Sequence, residues 1–196
     1  ETMCGAVDID QVLKNANELA ANPDVGTIIM AIDSPGGTVT GIPEAADALA
    51  KIAQSKTLIA YTDTQMCSAA YWLASSAHSI YAAPTAMVGS IGVYTAILDR
   101  SEQLKKQGVN VQAVQAGTEK TIGAPWKPLS ESERAGIQAR VDEVYAEFKG
   151  AVTASRPNVK DAVMQGSSYR GRAALAADLV DALYPSLEAL LLDIQH

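Results

Sequence analysis

Histidine is nearly missing from this chain: its 196 residues hold two, His78 and His196. His196 closes the sequence, where order is least expected. Cysteine is equally scarce. Cys4 and Cys67 stand far apart and in no metal-ligand spacing, so neither a disulfide framework nor a zinc site has support. Cys67 reads as a free, buried thiol. An excess of basic charge is missing too. The formal net charge is -7 and no basic stripe carries interleaved aromatics, which disfavours nucleic-acid binding. No apolar run reaches the length of a bilayer span; "LEALLLDI" near the C-terminus is short and interrupted by acidic residues. No secretory signal peptide is visible. The sequence begins at Glu1, which fits a trimmed or processed piece; any anchor or targeting segment would then have lain upstream.

What is present fits a soluble globular domain: 48% hydrophobic and 19% charged residues. The length suits one sizeable core, so residues 1–196 read as a single domain. Apolar positions Ile9, Val12, Leu13, Ala16, Leu19 and Ala20 predict an amphipathic helix, broken by "NPD". "VGTIIMAI" (25–32) predicts a strand buried on both faces, as in a helix-covered parallel sheet. "DSPGG" (33–37) is a sharp turn, and a helix starts near Pro43 and runs to about Gln54. "TLIAYT" is a second buried strand. A helix from Ser68 to about Ala77 and a strand "SIYAA" follow. Beyond "VGSIGVY" (88–94) come a helix "SEQLKKQG", a strand "VNVQAVQAG" and a loop "TEKTIGAPWKP". "SESE" (130–133) is a capping box that opens a long helix to about Ala154. The tail breaks into short pieces, among them "RAALAADLVDAL". Strands alternate with helices throughout, so the class is α/β.

The chemistry turns on Ser68. Its position before a helix suits an ordinary N-cap, where serine is favoured. The same position suits a nucleophile, because free N–H groups at a helix start can stabilise an oxyanion. Small neighbours Ala69 and Ala70 would leave room for a substrate. A nucleophile needs a base. His78 lies ten positions further on in the same expected helix, about 15 Å of rise away, so a Ser-His-Asp triad within one chain is excluded. That leaves lysine, which must be neutral to accept a proton and is helped to be so by apolar burial. Lys120 and Lys127 both qualify on composition, and each also reads as a solvated loop lysine. "DSPGG" reads as a turn, or as a place where Gly36 and Gly37 turn bare N–H groups to an oxyanion. Both "DSPGG" and "QMCS" directly follow buried strands, where sites in open α/β folds gather.

Five stretches, in this order, resemble the signal peptide peptidase A (protease IV) family and its phage head-maturation relatives. They are "DSPGGTVTG", "CSAAYWLAS", "VGSIGVY", "AGTEKTIGAPWKPLSESER" and "YRGRAALAADLVDAL". The resemblance implies a Clp/crotonase-like fold of repeated β-β-α units and a serine–lysine dyad. Ser68 falls on the family's nucleophile and Lys120 on its general base. Gly36 or Gly37 falls on the oxyanion donor, joined by Ala69. Val88, Gly89, Ser90, Ile91 and Gly92 correspond to the strand lining the substrate groove, with Ser90 a candidate to orient the lysine. The family needs no metal or organic cofactor. It implies an extended peptide substrate with small or apolar residues at the cleavage site, and a homo-oligomeric ring with sites near subunit interfaces. Ala69 and Ala70 stand where many relatives have glycines, which favours the phage-like branch. The family's opening strand is not visible in "ETMCG", and the expectation is that it was lost upstream. The role is either degradation of signal-peptide remnants or phage prohead maturation. The location is correspondingly either a bacterial membrane, through an upstream anchor, or the cytoplasm or phage head. Two rivals use the same fold: a crotonase-type acyl-CoA enzyme, which lacks the expected pocket carboxylates and basic patch here, and a non-catalytic scaffold or shell subunit.

Overall fold

Strand β2 (Thr57–Thr62) is the most deeply buried of the strands, with Leu58, Ile59, Ala60, Tyr61 and Thr62 all inaccessible. The computed structural model describes residues 8–195; Cys4, the "ETMCG" segment and His196 lie outside the described residues. Before β2 come α1 (Ile9–Ala21), β1 (Thr27–Ala31) and α2 (Ile42–Ala53). After it come β3 (Gln65–Cys67), α3 (Ala69–Ala74), β4 (Ser79–Ala82), β5 (Met87–Gly89), α4 (Ser101–Lys106) and α5 (Glu131–Ser155). The chain ends with β6 (Ser168–Arg170), α6 (Gly171–Ala176), β7 (Ala182–Leu183) and α7 (Leu187–Ile194).

Two sheets result. The first has the order β1-β2-β4-β7 and is parallel throughout. The second has the order β3-β5-β6, with β3 parallel and β6 antiparallel to β5. The chain visits them in a rhythm. β2 lies in the first sheet and β3 in the second before α3 follows. β4 and β5 repeat the step. β1 does the same in reduced form, because Ser34 bridges Met66 of β3 before α2 begins. The mixed α/β architecture with a parallel sheet is therefore as expected from the sequence.

Several elements differ from the sequence reading. β1 is not buried on both faces: among the described residues it is the sheet edge, and only its Ile28 is fully buried. The helix after Ser68 spans Ala69–Ala74 rather than reaching Ala77. "RAALAADLVDAL" holds the short α6, a turn at Asp178 with φ 60, and then β7. "VNVQAVQAG" forms no strand; its valines Val109, Val111 and Val114 are exposed. Alternation specifies a strand only where an edge offers a ladder, and among the described residues none pairs with this segment.

Residue contacts group the chain into two compact units. One runs to Gly92 and resumes at Ala146; the other is Val93–Tyr145. The first holds the buried core, in which α7 brings Leu190 and Leu187 against Ile59 and Tyr61 of β2. In the second no residue is fully buried. Among the described residues no helix is long and apolar enough to cross a membrane.

Candidate active site

One residue turns the chain from β3 into α3, and it is Ser68. Its backbone sits at φ 53, ψ -125, a left-handed region that costs a non-glycine residue on the order of 1–3 kcal/mol. An N-cap serine has extended backbone and accepts an N–H from the first turn. Ser68 does neither: its side chain makes no capping bond. Its main chain is fully engaged instead. The N–H donates to the Gly89 carbonyl at 2.8 Å, and the carbonyl accepts the Trp72 N–H at 3.0 Å. The hydroxyl of this half-buried serine is left without a hydrogen bond to any described residue.

The "DSPGG" turn reaches Ser68 through strand-like pairing. Ser34 N–H donates to the Gln65 carbonyl at 2.9 Å, and Cys67 N–H donates to the Ser34 carbonyl at 3.1 Å. Two residues on, Gly36 adopts φ 99 directly against the serine: a Cβ there would stand 3.0 Å from Ala69 N. The two glycines differ in their donors. Gly36 N–H is taken by Ser34 Oγ at 3.2 Å. Gly37 is exposed, and its N–H has no acceptor among the described residues.

The stretch Val88–Gly92 is strand only as far as Gly89. The Val88 and Ile91 side chains are wholly buried. Ser90, with φ 52, donates its N–H to the Ser167 carbonyl, and Gly166 N–H donates to the Ile91 carbonyl, both at 2.8 Å. Gly92 lies so close to Gly166 that a Cβ would meet its Cα at 3.0 Å. The groups this stretch leaves accessible are therefore main chain and the Ser90 side chain.

Neither soft alternative to Ser68 is built for attack. Cys67 points its Sγ at the Met87 carbonyl (3.6 Å) and Ser168 Oγ (3.8 Å), and burial pushes its thiol pKa up. A thiol so placed is a poor source of thiolate. His78 is tied to β2: its Nδ1 accepts the Leu58 N–H at 3.1 Å and its own N–H donates to the Leu58 carbonyl at 2.9 Å.

Ser68 belongs to the first unit and Lys120 to the second. Lys120 is exposed in a turn closed by its N–H on the Gly117 carbonyl at 3.3 Å, and among the described residues its ammonium has no partner. Lys127 is engaged. It pairs with Glu133 at 2.5 Å, and Glu133 also accepts the Ser130 N–H at 2.9 Å in the expected capping box. The Lys127 and Ser130 hydrogen bonds hold the Glu133 carboxyl down at about 2. Within the same unit an open groove of about 320 Å³ runs between Ile97, Ile122 and the α5 residues Ile137, Val141 and Val144.

Three groups that position the chain around Ser68 carry no such role in the sequence analysis: Ser34 appears there only as part of the "DSPGG" turn, Gly89 only as groove lining, and Trp72 only within "CSAAYWLAS". Backbone carbonyls and buried aromatics carry no signature of such roles.

The profile of Peptidase family S49 matches residues 50–192. Capsid assembly protease C of Escherichia phage lambda is 31% identical over 188 residues, which cover 95% of this chain and 43% of that protein. The head-tail preconnector protein of Enterobacteria phage P21 is 27% identical, over 95% of this chain and 38% of its own length. The chloroplastic serine protease SPPA of Arabidopsis thaliana is 28% identical, over 91% of this chain and 27% of its own. The chain thus spans less than half the length of each of these relatives. It belongs to peptidase family S49.

Proposed function

We propose that this chain carries the catalytic centre of a serine peptidase, with Ser68 as nucleophile and Lys120 as general base. The observation that carries the reading is Ser68 itself. It holds a strained backbone at a helix entrance and does not use its hydroxyl to cap. Strain of that kind persists where surrounding structure over-determines it, and it clusters at functional sites. Neutral Lys120 takes the proton from Ser68 Oγ as Oγ bonds to a peptide carbonyl carbon. The protonated lysine then gives that proton to the leaving amine, and water releases the acyl group by the same route with roles reversed. The free N–H of Gly37 favours it over Gly36 as oxyanion donor; Ala69 N–H, which lies against Gly36, is the second donor in this reading. Lys127, occupied by Glu133, is the weaker candidate for the base.

The alternation of strands between two sheets supports a Clp/crotonase-type fold. The apolar groove that includes Ile122, two residues from Lys120, supports a substrate with small or apolar residues near the cleaved bond. Assembly into a ring is supported by the second unit. It buries no residue fully, exposes Tyr94, Leu98 and Val114, and balances its acidic and basic residues, so the net charge of -7 resides on the first unit. A neutral, apolar surface is where acidic copies can meet.

Intact-mass spectrometry after a fluorophosphonate probe tests the centre. One adduct on the wild type and none on Ser68→Ala is expected. No adduct on a folded, assembled protein would return Ser68 to a structural role and favour a scaffold subunit.

A further inference from the structure

Helix α5 passes from the second unit into the first at Ala146 and there sets Phe148 on Trp72 of α3. The two rings are parallel to within 3°, with centroids 4.7 Å apart. Both are buried, at 1% and 3% exposure. Trp72 occupies a particular place in α3. Its N–H is the donor to the Ser68 carbonyl at 3.0 Å, the first hydrogen bond of that helix. Ser68 is thus held at its N–H by Gly89, at its Cβ by the backbone of Gly36, and at its carbonyl by Trp72. The first restraint comes from the last residue of β5 and the second from the loop after β1. The third runs through a ring stack to a helix.

α3 has six residues, too few to keep a helical shape without tertiary support. Its placement follows what its side chains pack on. α5 is well suited to be that support, because its end is pinned. Arg156, just past the last turn, forms an ion pair with Asp181 while its side chain remains 9% exposed. The other Asp181 oxygen accepts the Ile80 N–H of β4 at 2.7 Å. Phe148 lies two turns before that anchor.

We propose that the Trp72–Phe148 stack is a positioning contact for Ser68: α5 fixes Trp72, Trp72 fixes the Ser68 carbonyl, and the serine hydroxyl is aimed as a result. The inference rests on the reading of Ser68 as the nucleophile. Misplacement of a reacting group by about 1 Å can cost on the order of 100-fold in rate. Loss of a stacked ring leaves room for a shift of that size, without touching the groups that bind substrate.

The test uses the full chain in its assembled form. The rate of Ser68 labelling by a fluorophosphonate is followed by intact mass. kcat and KM on a peptide substrate are measured beside it, both per folded molecule. Phe148→Leu and Trp72→Leu are each expected to slow labelling and kcat by about tenfold or more, with KM within about twofold. The double variant should be little worse than either single one, because both remove the same contact. Trp72→Phe keeps a ring pair and should retain most of the rate. Phe148→Met, whose flexible side chain fills irregular gaps better, replaces the leucine variant if that one does not fold. Leucine variants that melt earlier but label at the wild-type rate per folded molecule would overturn the proposal and leave the stack as core packing alone. Equal losses with Trp72→Phe would overturn it as well. A wild type that takes no adduct defeats the nucleophile reading and this inference with it. That outcome is read on the wild type, so the two failures are distinguishable.

Discussion

A Cβ on Gly36 would stand 2.5 Å from the Cβ of Ser68 and 2.9 Å from the Cys67 carbonyl oxygen. Real Cβ atoms do not approach so closely, and the obstacle is in part backbone, which cannot swing aside. Gly36 also holds φ 99, a conformation that glycine adopts without penalty and other residues do not. Two independent constraints therefore require glycine at the point where the "DSPGG" turn meets the serine.

Gly36→Ala is expected to push the turn away from Ser68. The strain and overpacking together should cost about 2–4 kcal/mol of stability. Serine labelling should fall much further than Tm does. Gly37→Ala, with open space around its Cα, should fold as the wild type does. Differential scanning calorimetry and probe labelling on the two variants make the comparison, and equal behaviour of both would sink the argument.

Ser68 offers a test of strain against function. Its hydroxyl stabilises nothing among the described residues, so Ser68→Ala should leave stability within about 0.5 kcal/mol of the wild type. Ser68→Gly relieves the left-handed backbone. It should be more stable than Ser68→Ala, by about 1 kcal/mol after glycine's extra unfolded-state entropy is deducted. Both should lack turnover. Urea unfolding of the three proteins reads the order, and a glycine variant less stable than the alanine one would contradict the strain.

Lys120 and Lys127 are separated by what they touch. Lys120→Ala removes a side chain with no partner among the described residues and should abolish turnover while leaving Tm unchanged. Lys127→Ala breaks the pair with Glu133 and should lower Tm slightly while leaving turnover near the wild-type level. Turnover retained in Lys120→Ala would overturn the assignment of the base.

Local chemistry explains which of these features could be read in the sequence. "SESE" announced the start of α5 because a capping box is written in four consecutive residues. "TLIAYT" announced β2 because an interior strand needs apolar residues on both faces. The apolar run of β1 resembles that of an interior strand, and its edge position among the described residues is set by strand order rather than composition. "VNVQAVQAG" has the alternation of a strand but no ladder among the described residues. Ser68 can be singled out as cap or nucleophile from its position, but what sets it apart from an ordinary cap is its φ and ψ, held beside the Gly89 carbonyl and the crowding of Gly36. Those partners are distant in sequence and leave no periodic trace.

The capping box also sets an acid limit on α5. The Lys127 and Ser130 hydrogen bonds lower the Glu133 carboxyl from 4.5 to about 2 in the folded chain. A depressed carboxylate stabilises the folded state fully above its unfolded value, and that contribution disappears as pH falls through the folded one. The window is therefore about pH 4.5 down to about 2, with stability lost in the acid direction. Glu133→Gln keeps an oxygen to accept the Ser130 N–H but has no charge to titrate. Wild type and Glu133→Gln should differ most in Tm above pH 4.5 and converge near pH 2. Parallel Tm curves across that window would show that Glu133 is not held by these bonds, and would free Lys127 to compete again with Lys120 as the base.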